Sequence, residues 1–313
     1  MSAPMNALYA MPSNEAMTEL LVLHSGIPRH ALDLHRFPDG ETLVRIEPPP
    51  TQGDVAIVCT LDHPDPKVVP LLMAAATARE LGAARVGLVA PYLAYMRQDT
   101  RFHPGEAISA SIFGKLLGGA FDWLVTADPH LHRYRRLGEA YPLDAHAVHA
   151  APRAAAWIRD HVEAPLIVGP DGESAQWANA VAAALGAPCV TASKERRGDR
   201  DVRIELPGIE RWPAHMPVLL DDIIASGQTM IETLRCLRQH GRPAAVCVGL
   251  HGVFAPGARE GLLAAGASQV VTSNSIAGST ALIDISEDLA AATSVLCSHP
   301  RPAGNTIPGS TAA

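Results

Sequence analysis

The stretch Val218-Leu219-Leu220-Asp221-Asp222-Ile223-Ile224-Ala225-Ser226-Gly227-Gln228-Thr229 constrains the fold more than any other part of the 313-residue chain. It opens as a continuous apolar run ending in two carboxylates, which reads as a buried parallel strand delivering acids at its carboxyl end. A small-residue turn follows, then a helix opening at Thr229 with Met230, Leu234 and Leu237 on one face. Backbone N–H groups at such a turn make a pocket for phosphate, and the two acids suit sugar hydroxyls or a metal bridge. The plainer alternative is an ordinary strand-to-helix connection whose aspartates only cap.

The same strand-loop-helix-strand order occurs earlier in the chain. Asp54 to Thr60 reads as a buried strand, Pro66 to Leu81 as an Ala- and Leu-rich helix stopped by Gly82, and Ala84 to Pro91 as the next strand. The second copy runs from Val218 to Asp222, through a helix from Thr229 to His240 and Gly241, to a strand from Ala245 to Leu250. Strand starts lie 31 residues apart in the first copy (Val55 to Val86) and 28 in the second (Val218 to Val246). The repetition predicts two similar halves, 1–148 and 149–313, each a mainly parallel sheet flanked by helices. Further strands are expected at Leu8-Tyr9-Ala10, Thr42 to Ile46, Trp123 to Thr126, Leu166 to Val168 and Gln269 to Thr272. Helices are expected over Glu15 to Leu23, Ala151 to Val162, Ala175 to Leu185 and near Gly257 to Ala265, with a loose tail from Ser298.

Composition narrows the function classes. Hydrophobic residues make up 48% and charged residues 18%, a globular balance, and with aromatics at 4% the core must be built from Ala, Val, Leu and Ile. A net charge of -7 argues against a nucleic-acid backbone as partner, though a local basic cluster suffices for a phosphorylated metabolite. The five cysteines, Cys59, Cys189, Cys236, Cys247 and Cys297, form no C-x-x-C pair and lie in or near apolar segments, which predicts reduced thiols and a cytoplasmic location. No apolar run approaches the roughly 18 residues of a membrane span, and Met1 to Met17 lacks the features of a signal peptide.

Ligands of open parallel sheets collect at the carboxyl ends of the strands. Asp128 and His130, Asp171, and Asp221 with Asp222 all fall at such ends. An Asp and a His two residues apart can reach one hard cation directly or through water, and His130 can instead bond a phosphate. Asp171, in Gly-Pro-Asp-Gly, is otherwise a turn residue. Arg97 offers a fixed fork for phosphate or a ring face, and Gln98 can read an amide-like base edge. The run Ser193-Lys194-Glu195-Arg196-Arg197-Gly198-Asp199-Arg200-Asp201 carries seven charges in nine positions, the usual mark of a solvated loop.

Together these segments resemble the ribose-phosphate pyrophosphokinase family, over roughly Leu8 to Leu296 and in the family's motif order. Asp221, Asp222, Ser226 and Thr229 match the phosphoribosyl-binding signature shared with type I phosphoribosyltransferases, while Ala225 and Gln228 depart from it at positions where an acid and a glycine are usual. Tyr92-Leu93-Ala94-Tyr95-Met96-Arg97-Gln98-Asp99 is similar to the family's Pro-Tyr-x-x-Tyr-x-Arg-Gln-Asp block, and Phe37-Pro38-Asp39-Gly40-Glu41 to its Phe-Ser-Asp-Gly-Glu block. Asp128-Pro129-His130 resembles its Asp-x-His element, and Asp171 its Pro-Asp element, though Glu173 and Ser174 stand where a Gly-Gly pair is common.

The resemblance implies a type I phosphoribosyltransferase-like fold and a reaction moving the diphosphoryl group of ATP to the 1-hydroxyl of ribose 5-phosphate, releasing AMP. It implies that Phe37 stacks on adenine, often across a subunit boundary of at least a dimer, and that Asp39, Glu41, Arg97, Gln98, Asp99 and His130 form the ATP site. It further implies that Asp128, His130 and Asp171 organise Mg2+, that Asp221, Asp222 and Ser226, Gly227, Gln228, Thr229 hold the sugar phosphate, and that Lys194 and Arg196 close over the diphosphate, with Arg197 as a substitute for Arg196. A phosphoribosyltransferase shares the sugar-phosphate loop and stays open as an alternative, as does a catalytically weak regulatory relative.

Overall fold

The computed structural model describes residues 5–50, 53–131, 133–172, 174–196, 202–242 and 244–298. The N-terminal half runs β1 (Met5–Ala10), α1 (Glu15–Ser25), β2 (Arg29–Arg36), β3 (Thr42–Glu47), β4 (Asp54–Val58), α2 (Asp65–Glu80), β5 (Arg85–Ala90), α3 (Ser109–Gly118), β6 (Trp123–Ala127) and β7 (Asp144–Val148). Its strands form one seven-stranded sheet in the order β3-β2-β1-β4-β5-β6-β7. Every neighbour pair is parallel except β2 with β3. The central strands are apolar throughout because helices cover both faces: Val55, Ile57, Val58, Leu88 and Leu124 are fully buried.

The C-terminal half runs α4 (Ala151–His161), β8 (Pro165–Gly169), α5 (Ala175–Leu185), β9 (Cys189–Thr191), β10 (Ser193–Arg196), β11 (Val202–Glu205), β12 (Met216–Ile224), α6 (Gln228–Gln239), β13 (Ala245–Gly252), α7 (Ala258–Ala265), β14 (Ala267–Ser273), β15 (Ala281–Ile283) and α8 (Ser286–Ser298). Six of its strands form an all-parallel sheet ordered β15-β14-β13-β12-β8-β9. Here α6 buries Met230, Leu234 and Leu237 at i, i+4 and i+7, joined by Thr233 and Cys236, against the sheet.

The two sheets are not independent bodies. One apolar cluster joins Leu8, Val58, Val89 and Val125 of the first sheet to Val218, Leu220, Val248 and Val271 of the second, through α1, α4, α5 and α8. The last helix crosses back to pack on α1, β6 and β7. There the Arg85 guanidinium, paired with Asp54, bonds the terminal carbonyls of α8 at Leu296 (3.3 Å) and Cys297 (3.1 Å), a cation placed at the negative end of a helix.

In each sheet the chain leaves its first strand one way and returns to continue on the other side. That reversal falls between β1 and β4 in the first sheet and between β8 and β12 in the second. Such switch points open a crevice at the carboxyl ends of the strands.

The polar run at 193 differs from a plain solvated loop: its first four residues pair antiparallel with β11, Lys194 opposite Ile204 and Arg196 opposite Val202. The base of that hairpin is anchored because Ile204 and Leu206 are buried beside α6. Arg197 and Glu173 lie outside the described residues, as does the tail beyond Ser298. Among the described residues, no helix is long and apolar enough to cross a membrane.

Candidate active site

A cleft of about 160 Å3 opens at the β8–β12 switch point, lined by Asp171, the 221–230 stretch, and Arg97 and His130 of the N-terminal half. Strand β12 runs two residues past the paired acids, to Ile224. Asp221 and Asp222 therefore stand within the pleat of its last turn, with Asp221 opposite Gly249 of β13. Gly249 is required there: a Cβ would come within 2.4 Å of Ile224 Cγ1, which folds back over it.

Beyond β12 the loop turns at Gly227, whose φ of +69° suits glycine, and α6 begins at Gln228. The Ile224 and Ala225 carbonyls accept the Phe254 and Ala255 N–H groups, both at 3.0 Å, tying the loop to the residues after β13. Ser226 Oγ accepts the Gln228 N–H at 3.4 Å, and the Gln228 side chain turns away to Glu232 (2.8 Å). The first turn of α6, with N–H groups lacking intrahelical acceptors, is thus presented to the cleft.

Three carboxylates crowd this small space. Burial, then the charge of Asp222, then that of Asp171 push Asp221 up to about 8. Asp222, 5% exposed, accepts a hydrogen bond from His130 Nδ1 at 2.5 Å, so the two halves of the chain meet across the cleft. Asp171 caps its own turn, its Oδ1 accepting the Ser174 N–H at 3.1 Å. Arg97 is exposed and forms no ion pair among the described residues, leaving a cation at the rim of an acidic cleft.

The carboxylate of Asp128 takes another direction from His130. It is 2% exposed, accepts the Ala150 N–H at 2.6 Å and lies 3.1 Å from His149 Nδ1, which fixes the start of α4. Burial raises its pKa against these hydrogen bonds, and the bond to Asp128 raises that of His149. Of this closely spaced pair, Asp128 is turned inward and His130 is turned to the cleft.

Gln98 and Asp99 hold their own segment: Gln98 Nε2 reaches Thr100 O and Glu106, both at 3.3 Å, and Asp99 is paired with Arg133 at 2.7 Å. Phe37, 40% exposed, sits on the turn between β2 and β3 with Asp39 and Glu41, at the far edge of the first sheet, and packs edge-on against His35. None of these three lines the cleft. Sequence reasoning missed His251, buried in β13 beneath the cleft, and Arg133, whose pairing with Asp99 crosses 34 residues. Neither carries a local signal, since each is defined only by a partner distant in sequence.

The donors fit a hard divalent cation. Among the described residues no three His, Cys, Asp or Glu groups converge on one point. A magnesium ion held by one or two carboxylates and completed by phosphate oxygens and water needs no such cage.

A mainly parallel, two-sheet α/β chain with an acidic strand end above a helix N-terminus at a switch point belongs to the phosphoribosyltransferase-like class. Models described as the N-terminal domain of ribose phosphate pyrophosphokinase and as a phosphoribosyl transferase domain match residues 6–120 and 143–283. The chain is a member of the ribose-phosphate pyrophosphokinase family. It is 31% identical over 267 residues to the ribose-phosphate pyrophosphokinase of Saccharolobus solfataricus, covering 84% of this chain and 89% of that one. It is 34% identical over 257 residues to that of Pyrococcus abyssi, covering 78% and 88%. The crystal structure of phosphoribosylpyrophosphate synthetase from Mycobacterium smegmatis has the same fold, with a TM-score of 0.78 over 93% of this chain and 97% of that one at 21% identity.

Proposed function

We propose that the chain transfers the diphosphoryl group of ATP to the 1-hydroxyl of ribose 5-phosphate, giving phosphoribosyl diphosphate and AMP. The observation that carries this reading is the convergence of Arg97 and His130 from one half with Asp171, Asp221, Asp222 and the 226–229 loop from the other on a single cleft. We assign nucleotide binding chiefly to 1–148 and sugar-phosphate binding to 149–313.

Asp221 and Asp222 orient the ribose hydroxyls, and the N–H groups of Ser226, Gly227, Gln228 and Thr229 receive the 5-phosphate. Arg97 neutralises nucleotide phosphate, and His130 and Asp171 hold Mg2+ together with the phosphates. The ion, when bound, neutralises charge on the transferring group. Asp128 supports His130 from behind rather than touching the ion. Lys194 and Arg196, on the hairpin beside the cleft's own half, bring positive charge to the diphosphate as it transfers. The remaining acceleration comes from holding the sugar hydroxyl in line with the β-phosphorus.

Phe37, Asp39 and Glu41 do not line this cleft, and we place them in a nucleotide site completed by a second copy, in at least a dimer. Gln98 and Asp99 shape the same site by holding the 97–106 segment. The five free cysteines accord with a cytoplasmic enzyme. A coupled assay of AMP release tests the reading: turnover should require both ribose 5-phosphate and Mg2+, and ATP consumption indifferent to the sugar would reject it.

A further inference from the structure

Between the two sheets, the strand ends that carry the site are joined by one buried imidazole. His251 is 2% exposed. Its Nδ1 lies 2.8 Å from Ser275 Oγ and its Nε2 3.3 Å from the backbone oxygen of Asp128, and its ring packs edge-on against Tyr92 at 5.0 Å. A carbonyl only accepts, so Nε2–H donates to Asp128, and Nδ1 accepts the Ser275 hydroxyl. Burial lowers the pKa of this histidine and keeps it neutral, which fits that arrangement.

Asp128 has a φ of +32°, a left-handed backbone that a non-glycine residue keeps only where its surroundings over-determine it. Both of its ends are held. The carboxylate is fixed by Ala150 and His149, and the carbonyl by His251 of the opposite sheet. His130, two residues beyond this reversal, meets Asp222. Tyr92, on the other side of the imidazole, begins the segment that carries Arg97 to the same cleft.

We propose that His251 is a positioning residue for the transfer reaction: it clamps the turn at Asp128 so that His130 meets Asp222 across the cleft, and it sets the height of the segment bearing Arg97. The kinetic part rests on the function proposed above. His251 does not line the cleft, and its effect is exerted through Asp128 and Tyr92.

The test uses His251→Phe, which keeps a ring but loses both hydrogen bonds, and His251→Gln, which restores a donor and an acceptor. His251→Phe should lower kcat about 10- to 100-fold, the usual cost of removing a supporting partner, with KM for ribose 5-phosphate within about twofold because the 226–229 loop is held independently. His251→Gln should recover most of the loss. A second readout needs no turnover: the Nδ1 proton of His130, held by Asp222, is followed by proton–nitrogen NMR on the unliganded protein, with His130→Gln as the assignment control. Its resonance should vanish or move in His251→Phe and return in His251→Gln.

An unchanged His130 resonance in His251→Phe overturns the proposal, as does kcat within twofold of wild type. If the wild type shows no sugar-dependent turnover, the functional reading falls and the NMR comparison still decides the positioning role. Should His251→Phe fail to fold, His251→Leu, which likewise removes the bond to the Asp128 carbonyl, takes its place under the same criteria.

Discussion

Asp221→Asn should make the unliganded protein more stable while destroying its activity, and the size of the effect follows from the crowding in the cleft. Burial and the neighbouring Asp222 and Asp171 charges raise Asp221 from 3.8 to about 8. The folded state therefore holds a proton that the unfolded chain releases near pH 4. Because the folded state binds more protons at this site through that window, the contribution of Asp221 to wild-type stability declines as pH rises from about 4 to about 8 and then levels off.

Holding that proton against rising pH is worth about 1.4 kcal/mol for every pH unit above the unfolded pKa, so the ceiling at pH 7 is about 4 kcal/mol for a site closed to solvent. The cleft admits water and counter-ions, which reduces the expected gain to about 1–2 kcal/mol. Asparagine has the same shape, and its Oδ1 can still accept the Asp222 N–H now bonded at 3.0 Å. Urea unfolding of both proteins at pH 5 and pH 8 is the assay, without Mg2+ and with EDTA. The stability gain should be small at pH 5 and reach its full size at pH 8, and Mg2+ should narrow it by stabilising the wild type preferentially. A variant less stable than wild type at pH 8, or a gain that does not change with pH, would refute the idea that the crowded acids repel one another in the cleft.

Lys194→Ala should lower kcat at least about 100-fold, the scale set by removing a group that stabilises transition-state charge, while ribose 5-phosphate binding by calorimetry is retained. Gly249→Ala should cost about 1–3 kcal/mol in urea unfolding, because its Cβ would displace Ile224, and should raise KM for the sugar phosphate through the loop that follows. His251 should add an acid limb of opposite sign from about pH 6.5 downward: its folded pKa lies below 6.5, so the unfolded chain takes the proton first, and the stability this group contributes at neutral pH is lost as pH falls. In His251→Gln that limb of the stability–pH curve should flatten by up to about 1.4 kcal/mol per pH unit.

The fold was legible wherever a strand is covered on both faces, since runs such as Val55 to Val58 and Val218 to Leu220 leave little alternative to a parallel sheet. Edge elements were harder to read. Arg29–Arg36 escaped notice because its alternation rests on few buried side chains between charged neighbours, and only pairing with Thr42–Glu47 defines it as a strand. Helices Ser109–Gly118 and Ser286–Ser298 likewise depend on the surfaces they cover. At the site, Asp171, Asp221 and Asp222 were readable from their strand-end positions, because the switch point brings those ends together. The divergence of Asp128 from His130 was not, since it turns on an N–H supplied 22 residues later by Ala150. His251 was still less visible. A histidine inside an apolar strand gives no hint of the sheet that will face it.

On the reading proposed above, this cleft joins a nucleotide to a sugar phosphate by moving two phosphoryl groups at once. Phosphorus-31 NMR of ATP labelled with oxygen-18 in the non-bridging oxygens of its β-phosphoryl group, incubated with ribose 5-phosphate, Mg2+ and the protein, is the decisive measurement. The label should leave with a new sugar-1-diphosphate, while the AMP formed in equal amount carries none. Release of ADP, or of free diphosphate with the sugar unchanged, would contradict it.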